Sequence, residues 1–196
     1  DSTYDRIVAA GGAEPVKLEL DLAAAGAPQY EELAELVGSE FGRLDGIIHC
    51  AVDPGTLTPL AQYPMDLLNK SLLVNFTAPY VITRSCLELL KAADDACVIF
   101  TTSDVARQGK AYWGAYAISG HTTEAMAEIW ADELEANTVV RINTLDPGPV
   151  RSLMRARFFP GEDVTGVPAA ESVAPAYIYL LANKLNGEKL RVTGNR

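Results

Sequence analysis

Positive charge is scarce: 16 Lys and Arg face 26 Asp and Glu, for a formal net charge of −10. Binding phosphate backbones needs clustered cations, so a nucleic-acid surface is excluded and a small-molecule or protein partner is expected. Cysteine is scarce too. Cys50, Cys86 and Cys97 are odd in number, form no Cys-x-x-Cys pair and each sit in an apolar run. That pattern argues against a disulfide framework and a zinc site, and no metal is expected. No apolar stretch reaches the roughly 20 residues needed to span a bilayer. Asp1 to Arg6 is polar, without the basic-then-apolar layout of a secretion signal. No membrane partner is expected, and the expected compartment is the cytoplasm. Repeats, low-complexity tracts and linkers are absent as well. With 196 residues and 48% hydrophobic content, the chain suits one substantial core, so a single domain over residues 1–196 is expected.

What is present is an alternation of strand and helix signals. Tyr4 to Ala10 reads as a short helix before the Gly11-Gly12 break, and Val16 to Leu20 as a strand ending at Asp21. Ala27 to Phe41 repeats its apolar residues at three- and four-residue steps, the mark of an amphipathic helix. Asp45 to Ala51 and Ala96 to Thr102 are continuous apolar runs, as in strands buried on both faces. Between them, Pro64 to Lys91 predicts a long helix kinked around Pro79. A helix from Gly114 to Ala136, a strand from Val139 to Leu145, a helix from Pro168 to Asn183 and a strand from Lys189 to Thr193 complete the series. Pro149 to Gly166 has no clean period and carries Arg151, Arg155, Arg157, Phe158 and Phe159, so 149–166 reads as an irregular lid. Five strands separated by helices predict an α/β, doubly wound parallel sheet, because parallel neighbours need crossovers that bury both faces.

The most informative segment is Thr101 to His121, TTSDVARQGKAYWGAYAISGH. Ser103 falls at the end of a strand and Tyr116 in the first turn of the next helix, 13 positions on. Open parallel sheets bind ligands at the carboxyl ends of their strands, so both hydroxyls are expected at one crevice. Taken singly, each residue has an ordinary reading as well: Tyr116 as a helix-face packing residue, Ser103 as a cap, Asn75 as an amide bonded to backbone. Asp21 is equally a turn residue, and His49, in an apolar strand, reads as a satisfied core histidine. Trp113, Tyr112 and Phe158 fit packing residues or the walls of a substrate pocket.

Together these positions resemble the short-chain dehydrogenase/reductase family over essentially the whole chain. Ser103 and Tyr116 fall where the family has its serine and catalytic tyrosine, and Asn75 matches its helix asparagine. Asp21 matches the acidic residue that contacts adenine, and Asp146-Pro147-Gly148, with Val150 beyond, matches the turn beside the nicotinamide. Cys50, Ala51 and Val52 occupy the cofactor floor. RQGKAYWGAYAIS is further similar to a subgroup of bacterial oxidoreductases carrying Arg-Gln-Gly and Trp-Gly-Ala-Tyr. The resemblance implies NAD or NADP as cofactor, a small carbonyl or alcohol as substrate, and a homodimer or homotetramer. It implies Tyr116 as acid/base, Ser103 holding the substrate oxygen, and Asn75 supporting a water relay.

Three features depart from the family pattern. Four residues after the tyrosine the family places a lysine, whose ammonium lowers the phenol pKa; here that residue is Gly120. Unaided, only about 0.1% of a tyrosine is phenolate at neutral pH. His121 is the nearest substitute, but at five residues it lies about 140° round the helix. Cys50-Ala51-Val52 replaces Asn-Ala-Gly, adding bulk where glycine lets a chain pass closely. No Gly-rich turn joins a first strand to a helix, and a βαβ unit of roughly 30 residues is missing ahead of Asp1. A chain that starts within a longer protein is the expectation, since a sheet stripped of its central strand exposes unpaired edges. The alternative is a natural remnant that binds a dinucleotide poorly. Two functions therefore stand: a short-chain oxidoreductase weakened by Gly120, or a non-catalytic scaffold or regulatory relative that kept the fold.

Overall fold

The computed structural model describes residues 2–192, with helix α1 at Ser2–Ala9, α2 at Ala27–Phe41 and strand β1 at Gly46–His49. The helical stretch that follows comprises α3 (Met65–Leu72), a π turn (Leu73–Thr77), α4 (Ala78–Ser85) and α5 (Leu87–Lys91). Then come β2 (Ala96–Thr101), α6 (Gly114–Glu135), β3 (Val140–Asp146), α7 (Leu153–Phe158), α8 (Ala174–Ala182) and β4 (Lys189–Arg191). The strands form one parallel sheet in the order β1-β2-β3-β4, in register from Gly46 opposite Cys97 to Asp146 opposite Arg191.

Both faces of β2 are covered, as its apolar run requires. Val98 and Phe100 pack with Met126, Ala127 and Ala131 of α6, while Cys97 and Ile99 pack with Leu180 of α8. Burying side chains of this size stabilises the fold by about 1.5–3 kcal/mol each. The doubly wound parallel sheet is thus present.

Four strands, not five, are present among the described residues. Val16 to Leu20 is extended but joins no ladder, and Val16 is 64% exposed. Its alternating sequence has the form of a strand, but no described strand lies beside it to accept its backbone bonds. Thr193, the expected end of the last strand, lies outside the described residues.

The Pro64–Lys91 helix is broken upstream of Pro79. Proline has no N–H to give the carbonyl four residues back, so Asn75 loses its α-helical donor. The turn widens, with Ala78 N–H bonding Leu73 O, and Thr123 Oγ1 of α6 donates to the freed Asn75 carbonyl at 2.9 Å. The 149–166 segment is also more regular than expected. It holds α7, whose N-terminus is capped by the Ser152 hydroxyl accepting from Arg155 N–H at 3.1 Å.

Candidate functional site

Parallel strands deliver their carboxyl ends to one edge, and Cys50, Ser103 and Pro147 follow β1, β2 and β3 there. Next to them Tyr116 stands in the first turn of α6. A recess of about 60 Å³ lies among Cys50, Ala51, Val52, Asn75, Ser103 and Tyr116, and Ser119 and Gly120 also line it. The structure therefore brings together the serine, the tyrosine, the asparagine and the expected cofactor floor.

Tyr116 is half-buried. Burial raises its phenol pKa, the Ser103 hydroxyl pulls it partly back by a hydrogen bond, and Asp146 and Asp104 push it up. Each of these carboxylates has its own cation: Lys110 bridges Asp104, and the Arg191 guanidinium lies 3.3 Å from Asp146. Despite partial burial, the Lys110 bond and charge hold Asp104 below the usual carboxylate range. At Asp146 burial wins and its pKa is raised, although Gly148 N–H donates to Oδ1 at 2.9 Å. Its other oxygen, Oδ2, is buried without a hydrogen bond of good geometry and faces the Arg191 Nε at 3.3 Å. The turn itself requires glycine: Gly148 has φ +66°, and a Cβ there would meet the Val192 carbonyl at 2.8 Å. Pro147 and Val150 flank it, half-buried.

Asn75 acts through its side-chain amide. Its Oδ1 accepts from Asp53 N–H at 2.7 Å, and its Nδ2 donates to Asp53 O at 2.8 Å and to Ser119 Oγ at 2.9 Å. One amide thus pins the loop after β1 to α6. Asp53, Ser119 and Thr123 complete this bracket and were not expected from sequence. Each is an isolated polar residue, and no spacing signals them.

Other candidates stand apart. Asp21 is exposed in a turn, its Oδ1 accepting Ala23 N–H at 2.9 Å, and it does not line the recess. His121 Nδ1 is bonded to Ala117 O at 2.8 Å, on its own helix, and it too is absent from the recess lining. His49 bonds Thr83 Oγ1 through Nε2 at 2.8 Å and stacks on Phe100; burial lowers its pKa to about 4. Among the described residues no cluster of His, Cys, Asp and Glu is placed to hold a metal, and no helix is long and apolar enough to cross a membrane.

The 149–166 segment touches the site through aromatic rings. Phe158 and Phe159 lie 5.4 and 6.1 Å from Trp113 between ring centroids, and Trp113 lies 5.7 Å from Tyr116. Arg157 donates to Gly55 O at 3.3 Å, and Arg155 pairs with Glu162. Tyr112, just before Trp113, holds φ +73°, a left-handed conformation uncommon for a bulky residue; its carbonyl accepts Thr58 N–H at 3.2 Å.

Gly120 has a steric cause. A Cβ at this position would sit 2.5 Å from Ala106 Cβ and 3.1 Å from Ala106 Cα, closer than carbon atoms approach. No side chain fits there unless the loop carrying Ala106 moves.

Comparison with known proteins agrees with this geometry. The short chain dehydrogenase family model matches residues 3–163. The uncharacterized oxidoreductase YciK of Escherichia coli K12 is 34% identical over 172 residues, covering 88% of this chain and 68% of that protein. A short chain dehydrogenase structure from Pseudomonas syringae superposes with TM-score 0.94 at 42% identity, covering 97% of this chain and 78% of that one. One from Escherichia coli CFT073, solved with NADPH, gives TM-score 0.92 at 31% identity, covering 97% and 80%. The chain belongs to the short chain dehydrogenase family of oxidoreductases.

Proposed function

We propose that the protein interconverts a small carbonyl compound and its alcohol with NADP or NAD. The observation that carries this reading is that the Ser103 and Tyr116 hydroxyls line one recess at the edge where three parallel strands end. The residues present fit the nicotinamide end of such a cofactor: Cys50, Ala51 and Val52 form a floor, and Pro147, Gly148 and Val150 a tight backbone turn beside it. Asp21 would meet the adenine end. The cofactor supplies the hydride.

The chain's own residues handle the proton and the alignment. Tyr116, kept protonated by burial and by two carboxylates, donates to the carbonyl oxygen during reduction. Ser103 holds that oxygen in line. Asn75 is a positioning residue that fixes Asp53 and Ser119 beside the tyrosine and supports the water relay that the family resemblance implies. Residues 149–166 form a lid whose Phe158 and Phe159 close on Trp113, giving the substrate mouth an apolar wall. A homodimer or homotetramer is proposed on family grounds.

Tyr116→Phe should lower kcat at least about 100-fold with an aldehyde and ketone panel, the usual loss for a positioned acid. NADPH binding, read by nicotinamide fluorescence, should stay unchanged. Unaltered turnover in this variant would overturn the assignment. The second reading, a non-catalytic relative, is favoured by the Ala106–Gly120 contact, which leaves no residue-120 cation for Tyr116. It predicts NADPH binding or oligomerisation without turnover of any carbonyl.

A further inference from the structure

Glu124 is a carboxylate buried midway along α6, its side chain only 6% exposed. Tyr116, Gly120 and Glu124 recur at four-residue steps, so they lie along one side of the helix. The Glu124 Oε1 accepts two hydrogen bonds, from Thr102 Oγ1 at 2.9 Å and from Arg107 Nε at 2.8 Å. Ser103 stands between these two donors in the chain, in extended backbone just ahead of the 3-10 turn Asp104–Ala106. That turn closes on itself, with Ala106 N–H bonding Ser103 O at 3.0 Å and Arg107 N–H bonding Asp104 O at 3.2 Å. The short segment carrying Ser103 is therefore tied at both ends to one oxygen atom of the helix that carries Tyr116.

Stability alone does not call for charge at this place. A buried ion pair contributes no more, as a rule, than a well-packed apolar pair of the same volume. Farther along α6, Met126, Ala127 and Ala131 cover the sheet with apolar groups. What a charge-assisted hydrogen bond adds is direction, because each donor must point at the shared acceptor. The remaining contacts extend the frame to the next strands: Arg107 Nη2 donates to Thr144 Oγ1 of β3 at 3.4 Å, and Lys189 of β4 faces Glu124 Oε2 at 3.8 Å. Arg107 is also the first residue of the Arg-Gln-Gly run, to which the redox chemistry itself gives no task.

We propose that Glu124 and Arg107 are positioning residues: with Thr102 they clamp the segment on both sides of Ser103 to α6 and so set the Ser103 hydroxyl against Tyr116. The effect on turnover rests on the oxidoreductase reading, whereas the clamp on the segment stands on the geometry.

The test uses Arg107→Met/Glu124→Met in the full chain, which exchanges the ion pair for apolar side chains and keeps the fold. With an aldehyde and ketone panel, kcat should fall about tenfold through misplacement of the hydroxyl, while NADPH binding read by nicotinamide fluorescence holds. In a Ser103→Ala background the same pair of substitutions should change kcat by less than about twofold, since the group it places is already gone. Undiminished kcat, or an equal loss in both backgrounds, overturns the proposal, because a merely structural pair would act alike with and without the hydroxyl. Amide exchange at Ala106, Arg107 and Gln108 should quicken at least about tenfold in the double variant, with the amides of β2 keeping their rates. Unchanged exchange in the turn overturns the clamp whether or not carbonyls turn over. A loosened turn in a protein whose natural sequence turns over no carbonyl removes only the oxidoreductase assignment. If the double variant does not fold, Thr102→Val, which deletes one donor at constant shape, decides the matter by the same comparison.

Discussion

The two ends of β3 carry opposite solutions to the same problem. At the amino end, Arg141 is buried yet fully engaged. It makes a two-bond pair with Asp95 at 3.0 and 3.2 Å and donates to the carbonyls of Leu180, Leu181 and Asn183 at the end of α8. At the carboxyl end, Asp146 is as deeply buried, but its Oδ2 has no hydrogen bond. Five positions along one strand thus separate a charge held by many hydrogen bonds from one whose buried oxygen has only the Arg191 guanidinium, at 3.3 Å, and the latter lies at the carboxyl edge of the sheet. Unsatisfied buried groups persist where something besides stability maintains them.

Three substitutions break or sharpen this contrast. The largest effect is expected from Arg141→Met, which removes the guanidinium's bonds to the carbonyls at the end of α8 and leaves Asp95 only its Lys184 partner; it should lower unfolding free energy by about 3 kcal/mol, read by urea denaturation. A smaller one comes from His49→Gln at the carboxyl end of β1. His49 titrates at about 4 when folded against its ordinary 6.5 when unfolded, so the unfolded chain binds the extra proton first and stability falls as pH drops through that window. The variant should flatten this acid loss by on the order of 2 kcal/mol between those pH values, with little change at pH 8. The smallest is Asp146→Asn. A raised carboxyl pKa means the folded state holds its proton longer than the unfolded, so the penalty appears as pH rises through the folded value. The amide should therefore leave stability within about 1 kcal/mol of the parent or above it at pH 7, with any gain vanishing in acid. A clear loss at pH 7 would show that the Arg191 contact outweighs the burial.

Much of the framework was legible because it follows from burial. ACVIFTT could only be a strand covered on both faces, and Ala27–Phe41 was bounded correctly by its periodicity and the Gly42 that ends it in a left-handed turn. Ser103 and Tyr116 were legible because strand end and helix start place them on one edge. What failed was tertiary. Val16–Leu20 has strand character, but pairing depends on a neighbour that its own residues do not encode. Pro79 signals a break, yet the break falls at 73–77, where Thr123 of a distant helix receives the freed carbonyl. The glycine at 120 was visible at once, and its reason was not, because Ala106 meets it only after loop and helix fold together.

The widened turn at Leu73–Thr77 has a consequence beyond the site. One extra residue in a turn advances the helical phase by about 100°, so the chain before it and the chain after it present different faces to their surroundings. Residues before the shift pack on α6, while residues after it pack mainly on α2 and reach His49 through Thr83, with Tyr80 still meeting Trp130 of α6. A single helical run thereby turns part of its later face from α6 toward α2, and losing one residue there would rotate Thr83 away from β1 while leaving α3 in place.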